Sequence, residues 1–570
     1  MPFKHIKTRN DLADFLEIPR SKLTHVLYIA TVDSYYRTFD IPKKSGGTRT
    51  INAPSGDLKH IQQKLYDLLL NYQQKLRKQN DSRINIAHAF EKRKGIITNG
   101  EVHKNKRFVL NIDLQDFFDS FHFGRVSGFF EKNRDFMLPH NIAIIIAQLT
   151  CYQGKLPQGA PTSPIITNMI CQIFDMRLLF LAKKYRLDYT RYADDLSFST
   201  NDKRFLEKWT PFYDELKKEV ERAGFKINDK KTRFQFKDSR QTVTGLVVNK
   251  KVNVDRRFYK QVRAMADSLY KNGWYSENGI KGTARQLEGK FSFINQIDRY
   301  NNNSDANQKD SVFHLNGREK QYQKFLFYRY CFASENPIIV TEGKTDIKYI
   351  KSALKNLYKE YPELIEKTSD GQFNFKITFL KRSKRFKYFF GMSQDGADAM
   401  KNLYNFYVDK NSRFTNYYQK LSIESKRKPS SPVILIFDNE LSRGKKPLSL
   451  FASHADLKGD KLNFLKENLS IRVIDEANLF LVTNPLVNGK DECEIEDLFD
   501  ANTLGHTIGG KSFSKDDKAD KEKYYGKEIF SNYIQSSYRG INFDNFKPML
   551  NSIAKIVNDY ATEIETNAKQ

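Results

Sequence analysis

Residues 190–200 read Thr-Arg-Tyr-Ala-Asp-Asp-Leu-Ser-Phe-Ser-Thr. Aromatic and β-branched residues stand on both sides of a polar turn, so the segment is expected to be a β-hairpin with Asp194 and Asp195 at its tip. An adjacent Asp pair between strands is unfavourable unless its charges meet cations or water. A second apolar run, residues 107–114, reads as a buried strand ending at Asp113. Mg²⁺ is usually held by one or two carboxylates together with substrate phosphates. Two such ions about 4 Å apart can activate a 3′-hydroxyl and stabilise a leaving pyrophosphate. Taken alone, the Asp-Asp turn is equally a solvated acidic β-turn; the surrounding segments decide against that.

The chain has 570 residues, and at roughly 150 per domain it makes three or four domains. Its 95 Lys and Arg against 68 Asp and Glu leave a net charge of +27. That balance favours a polyanionic partner, nucleic acid before membrane, with a merely solubilising surface as the alternative. Forty-four Phe, 30 Tyr and 2 Trp exclude a disordered chain. The four Cys, at 151, 171, 331 and 493, form no CxxC pair, which argues against a zinc ribbon or a disulfide framework and suits a reducing cytoplasm. No apolar run reaches the 18 residues of a membrane span, and the first residues lack the apolar core of a signal peptide. The expectation is a cytoplasmic protein with no membrane partner.

Six segments between about 40 and 250 resemble the reverse transcriptase family, in its order. Ile41-Pro-Lys-Lys-Ser-Gly-Gly-Thr-Arg-Thr-Ile-Asn-Ala-Pro54 is similar to the fingers segment, Asn111–Phe121 to motif A and Leu156–Asn168 to motif B. Arg191–Ser199 resembles the YxDD motif C, Gly224–Phe234 motif D and Val243–Asn249 the primer-grip region. The resemblance implies Asp113, Asp194 and Asp195 as catalytic metal ligands for two Mg²⁺. It places Phe118 at an aromatic steric gate that selects dNTPs; a core Phe beside Phe117 and Phe121 is the competing reading. It sets Gln158 and Gly159 beside the incoming nucleotide, Arg49 with Lys43 or Lys44 on its triphosphate, and Lys231 as a candidate for protonating pyrophosphate. Arg suits the triphosphate because its fork matches phosphate oxygens.

Asn99-Gly-Glu-Val-His103 resembles the NAxxH element of retron reverse transcriptases, with Gly for the usual Ala, and Val243-Thr244-Gly245 their VTG element. These five named positions, with Arg256 and Arg257 on a basic run just beyond, are the candidate RNA-binding residues; a solvated helix face is the alternative for the run. The retron resemblance implies a structured cognate non-coding RNA, priming from a guanosine 2′-hydroxyl, and a branched RNA–DNA product, msDNA.

A different pattern follows residue 335. Asn336–Asp346 reads strand, tight turn, helix; Ser431–Glu440 is another buried strand ending in acids. Such alternation predicts a parallel α/β sheet, whose sites lie at the carboxyl ends of strands. Glu342-Gly-Lys-Thr-Asp346 with Phe437-Asp438-Asn439-Glu440 resembles a Toprim domain, Glu440 standing where the family has Asp, and residues 391–400 resemble its glycine-containing segment. Residues 492–499 resemble an acidic element of overcoming-lysogenization-type nucleases. The resemblance implies Glu342 as metal ligand and general acid/base, Asp346, Asp438, Glu440 and Glu496 as metal ligands for one or two Mg²⁺, with Asp497 and Lys511 as further candidates. The Cys count excludes a primase zinc ribbon and no room remains for strand-passage domains, so a nuclease is what this implies.

The fold expected is multidomain α+β and α/β: a right-hand reverse transcriptase with fingers, palm and thumb over 1–300, a linker over 301–334, a Rossmann-like Toprim domain over 335–500 and an extension over 501–570. The function implied is synthesis of msDNA joined to a nuclease effector in anti-phage defence, with a possible homo-oligomer. The alternatives are another defence-associated reverse transcriptase and a second half that is a non-catalytic binding or oligomerisation module.

Overall fold

The computed structural model describes residues 3–43, 46–79, 86–303, 312–392, 398–441, 444, 446–516 and 518–569. The chain divides into two compact units, Met1–Asp255 and Arg256–Gln570.

In the first unit, β1 (Tyr36–Pro42) and β2 (Thr48–Pro54) pair antiparallel as a hairpin. Helix α1 (Gly56–Gln79) buries Leu58, Ile61, Leu65 and Leu69, one face at helical spacing. After α2 (Ile96–Val102) comes the central strand β3 (Phe108–Gln115), then α3 (Phe123–Lys132) and α4 (Gln172–Lys184). The hairpin of β4 (Asp188–Tyr192) and β5 (Asp195–Thr200), helix α5 (Trp209–Arg222), β6 (Lys226–Ile227) and β7 (Arg233–Phe236) complete the unit's main sheet. Its order is β4-β5-β3-β6, with β7 also on β3, all antiparallel. Inward residues of β3, Leu110, Ile112 and Leu114, join Phe198, Phe212 and Leu216 in one core. Strands β8 (Thr242–Val243) and β9 (Leu246–Val247) close on the turn Thr244–Gly245, whose φ values of +45° and +81° place both residues in the left-handed region. The hairpin expected at 190–200 and the strand at 107–114 are where the alternation puts them. The helical stretch expected over 123–150 is two helices, Phe123–Lys132 and His140–Thr150, because Leu138-Pro139 interrupts it.

The second unit opens with α6 (Arg256–Asn272), so residues 256–300, expected with the polymerase, group with the later residues. The expected linker 301–334 is largely structured. Its residues 304–311 lie outside the described residues, but α7 (Gly317–Phe327) has an Asn316–Glu319 capping box and buries Tyr322, Phe325, Leu326 and Phe327. Phe291 stacks on Tyr322 and Phe325 at 5.4 and 4.9 Å. Polar composition before residue 311 conceals this apolar helix after it.

Strand β10 (Ile338–Thr341), helix α8 (Lys344–Asn356), β11 (Thr378–Phe379), β12 (Val433–Phe437), β13 (Ser470–Arg472) and β14 (Leu479–Thr483) build a sheet ordered β11-β10-β12-β14-β13. The first four are parallel and β13 is an antiparallel edge. From β10 the chain goes to one side, β11, then returns to the other, β12. The order therefore reverses between β10 and β12, the crevice where open α/β sheets hold their ligands. Residues 501–570 are not an appendage: α9 (Lys527–Ser537) and α10 (Lys547–Lys569) bury Phe530, Ile534, Met549, Leu550 and Ile553 against Ile339, Ile350 and Ile436. Among the described residues no single helix is long and apolar enough to cross a membrane.

Candidate functional site

In the first unit, Asp113 on β3 is the register partner of Asp195 on β5. The backbone between Tyr192 and Asp195 turns through Ala193 at φ +55°, and the amide of Leu114 donates to the carbonyl of Asp194 at 3.0 Å. A left-handed alanine is strained by roughly 1–2 kcal/mol. The turn is fixed from behind: Arg191, fully buried, donates from Nη1 to the Ala193 carbonyl at 3.2 Å and from Nε and Nη2 to Asp175 at 2.7 and 2.9 Å. Three acids thus gather at one end of the sheet. Burial, then Asp194 and Asp113, push Asp195 up to about 7. Burial and Asp113 raise Asp194, while Lys231 and Arg49 pull it down. Lys231 Nζ donates to both oxygens of Asp113 at 3.0 and 3.2 Å, and Asn228 Nδ2 to Oδ2 at 3.1 Å. The donors are hard oxygens whose mutual repulsion a divalent cation would relieve. Among the described residues no three acidic, His or Cys side chains already form a ready-made metal cage, and on Asp113 an ammonium holds the cation's place.

The nucleotide candidates surround these acids unevenly. Arg49 is exposed on β2, opposite Ile41, within electrostatic reach of Asp194. Lys44 lies outside the described residues. Phe118 is half-buried, its ring edge-on to Phe117 at 5.5 Å, whereas Phe117 and Phe121 are core. The Gln158 carbonyl accepts from the Asn52 amide at 2.8 Å. Gly159 has φ +121°, and a Cβ there would stand 2.7 Å from Ile51 Cγ2 and 2.9 Å from the Asn52 carbonyl. The fold itself therefore demands glycine where the loop meets β2.

The two RNA-binding elements come together, but mostly inside the protein. His103 is fully buried; its Nδ1 hydrogen-bonds Ser199 Oγ and its Nε2 Thr190 Oγ1, each at 2.7 Å. Thr190 Oγ1 in turn donates to Asn99 Oδ1 at 2.6 Å. Burial drives the His103 imidazole down to about 3, so it is neutral. Val243 packs with Val109 and Val248. Asn99, His103 and Val243 are thus corrected: Asn99 and His103 brace the hairpin β4–β5, Val243 packs against Val109 of β3, and all three are buried instead of facing a partner. Thr244, half-buried, and Gly245, exposed, remain available, and an Ala at Gly100 would meet Val248 at an ordinary 3.4 Å. Arg256 and Arg257 are exposed at the start of α6.

In the second unit, Glu342 follows β10 and Asp438 follows β12, at the sheet's switch point. Glu342 Oε1 accepts from the Asp438 amide at 3.1 Å. Burial, then Asp346 and Glu440, push Glu342 up to about 8. Burial and the neighbours Glu342, Asp346, Glu496 and Glu494 hold Asp438 well above the carboxylate range. Asp438 Oδ1 accepts from Asn484 Nδ2 at 2.7 Å and the Ile495 amide at 2.8 Å. Asp346 caps α8 through the Gly343 amide at 2.8 Å. Glu440 is paired with Lys446 at 2.6 Å. Glu496 is buried; Lys527 donates to its Oε2 at 3.2 Å and to Glu494 at 3.0 Å, and the Tyr349 hydroxyl also faces its carboxylate. Asp497 is held low by Lys490 and Lys515, and Lys511 reaches the Lys521 carbonyl instead of the acids. Residues 393–397 of the expected glycine segment lie outside the described residues. Sequence reasoning missed Arg191, Asn228, Asn484 and Lys527; only Arg191 and Asn228, inside the motif C and motif D resemblances, carried any signal.

The family described as reverse transcriptase (RNA-dependent DNA polymerase) matches residues 41–254. The retron Ec86 reverse transcriptase of Escherichia coli is 32% identical over 321 residues, 55% of this chain and 91% of that one. The retron Mx162 reverse transcriptase of Myxococcus xanthus is 34% identical over 50% of this chain and 63% of its own length. Among solved structures, apo telomerase from Candida tropicalis matches 40% of this chain and 56% of that chain, at 16% identity and a TM-score of 0.29.

Proposed function

Because this chain belongs to the retron reverse transcriptase family, RNA-directed DNA polymerases, we propose that its first unit makes branched msDNA from a cognate structured non-coding RNA. The observation that carries this reading is the Asp113–Asp195 register beside Asp194. Asp113, Asp194 and Asp195 would hold Mg²⁺, which supplies charge stabilisation at the attacking and leaving oxygens. Arg49 would bind the dNTP triphosphate, and Phe118 would crowd a ribose 2′-hydroxyl. Lys231 pairs with Asp113 and is placed to exchange it for a phosphate oxygen.

The second unit is read as a Toprim-type nuclease acting in anti-phage defence in the bacterial cytoplasm. Its support is the acid set Glu342, Asp346, Asp438 and Glu496 at the switch point, whose burial and mutual repulsion raise Glu342 and Asp438. One specific observation favours the second reading, a non-catalytic module: Lys446 and Lys527 already neutralise Glu440 and Glu496. Glu342→Ala in the full chain separates the two. Loss of Mg²⁺-dependent nucleic-acid cleavage, with DNA synthesis intact, supports the nuclease; absence of cleavage in the wild-type chain as well leaves the binding module.

A further inference from the structure

A cavity of about 370 Å³ in the first unit is lined by Arg125, Arg177, Arg222 and His122 over a floor of Ile170, Ile173 and Phe174. None of the acids described above lines it. Its cations are poorly compensated. Arg125 is half-buried between the rings of Phe121 and Phe225, 4.7 and 4.6 Å from their centres, and donates to the carbonyls of Ser120 and Ala223, at 3.3 and 2.8 Å. Burial lowers its pKa, and among the described residues no carboxylate pairs with it. Arg177 on α4 is half-buried and forms no hydrogen bond or ion pair among the described residues. Arg222 at the end of α5 has only a 3.7 Å contact with Glu219. Ile173, 60% exposed, and the half-buried Ile170 offer an apolar surface beside the guanidinium groups, whereas Phe174 belongs to the core.

Converging guanidinium groups match phosphate oxygens, and an apolar wall accepts an unstacked base. We propose that this cavity is a second nucleic-acid site, which takes a phosphodiester of single-stranded RNA with its base against Ile170 and Ile173. The proposal rests on the RNA-directed reading of the first unit but concerns a surface other than its carboxylates. A free nucleotide carries the same chemistry, and the test distinguishes the two.

The full chain is compared with its Arg177→Gln, Arg222→Gln variant; Arg125 is left in place because it supports the Ser120 and Ala223 carbonyls. The probe is a U12 RNA carrying one 4-thiouridine. For the wild type, irradiation is expected to crosslink the peptide containing Ile170–Arg177, and the variant should lose that crosslink. The slope of log affinity against log salt should fall by about 0.7, the contribution of one phosphate contact on a single strand. Extension of a pre-annealed RNA-template, DNA-primer duplex, which reports the polymerase reading itself, should stay within twofold. No crosslink in this peptide, or an unchanged salt slope, overturns the proposal. A parallel loss of primer extension also overturns it, because the arginines would then serve the polymerase fold. If AMP alone raises the melting temperature of the wild type and not of the variant while the U12 slope is unchanged, the occupant is a free nucleotide and the RNA assignment falls.

Discussion

Arg191 and Asp175 form a fully enclosed bidentate pair, with N–O distances of 2.7 and 2.9 Å, directly behind the Ala193–Asp194 turn. Removing one partner of such a pair strands a charge in the interior and is expected to destabilise the protein by about 3–5 kcal/mol. Asp175→Ala should therefore lower the denaturant midpoint of the first unit sharply. Because Arg191 also holds the Ala193 carbonyl, primer extension should fall even under conditions where the variant remains folded. A variant with wild-type stability would show that the pair contributes nothing to the turn.

Asp194→Asn with Asp195→Asn should reduce primer extension by at least about 10³-fold, since charge stabilisation on both sides of the reacting phosphate goes. Removing two mutually repelling, buried carboxylates should leave the melting temperature equal or higher. Residual processive synthesis would exclude these residues as the metal ligands.

Phe118 is only half-buried, unlike Phe117 and Phe121. Phe118→Ala is expected to raise the rNTP-to-dNTP incorporation ratio with little loss of stability. An unchanged ratio accompanied by a lower melting temperature would return Phe118 to the core.

The His103 imidazole is held near 3 by burial, against 6.5 ordinarily. The unfolded chain therefore binds the extra proton first as pH falls, and stability is lost progressively from about pH 6.5 toward pH 3. His88, pushed down to about 4 by burial and Lys94, works in the same direction. Chemical denaturation between pH 7 and 4.5 should show a shallower loss for His103→Gln than for the wild type. Parallel curves would mean that His103 does not titrate across unfolding.

Much of this arrangement is legible in the sequence, for identifiable reasons. The 190–200 hairpin and its acids are local: alternation fixes the strands and the turn fixes the carboxylates. The acids of the second unit follow from a general property of parallel sheets. Partnerships across long separations left no trace. Nothing near Asp113 announces Lys231, 118 residues away, and nothing near Glu496 announces Lys527 on a helix beyond residue 500. Asn99 and His103 show a further limit. A polar residue in a short motif looks like a contact with a ligand, but these two are consumed by hydrogen bonds to Thr190 and Ser199. Polar composition likewise concealed α7, whose apolar face appears only after residue 321.

The antiparallel register that sets Asp113 opposite Asp195 also governs how this chain can change length. Side chains alternate between the faces of a strand, so inserting or deleting one residue within 108–113 or 195–200 sends one carboxylate to the opposite face of the sheet. Point substitutions that conserve size can accumulate along these strands, whereas single-codon insertions and deletions are shut out. Length variation is left to the connections, such as residues 237–241 between β7 and β8. A library of single-residue indels should therefore show two narrow windows of complete intolerance flanked by permissive loops, a pattern set by parity instead of by burial.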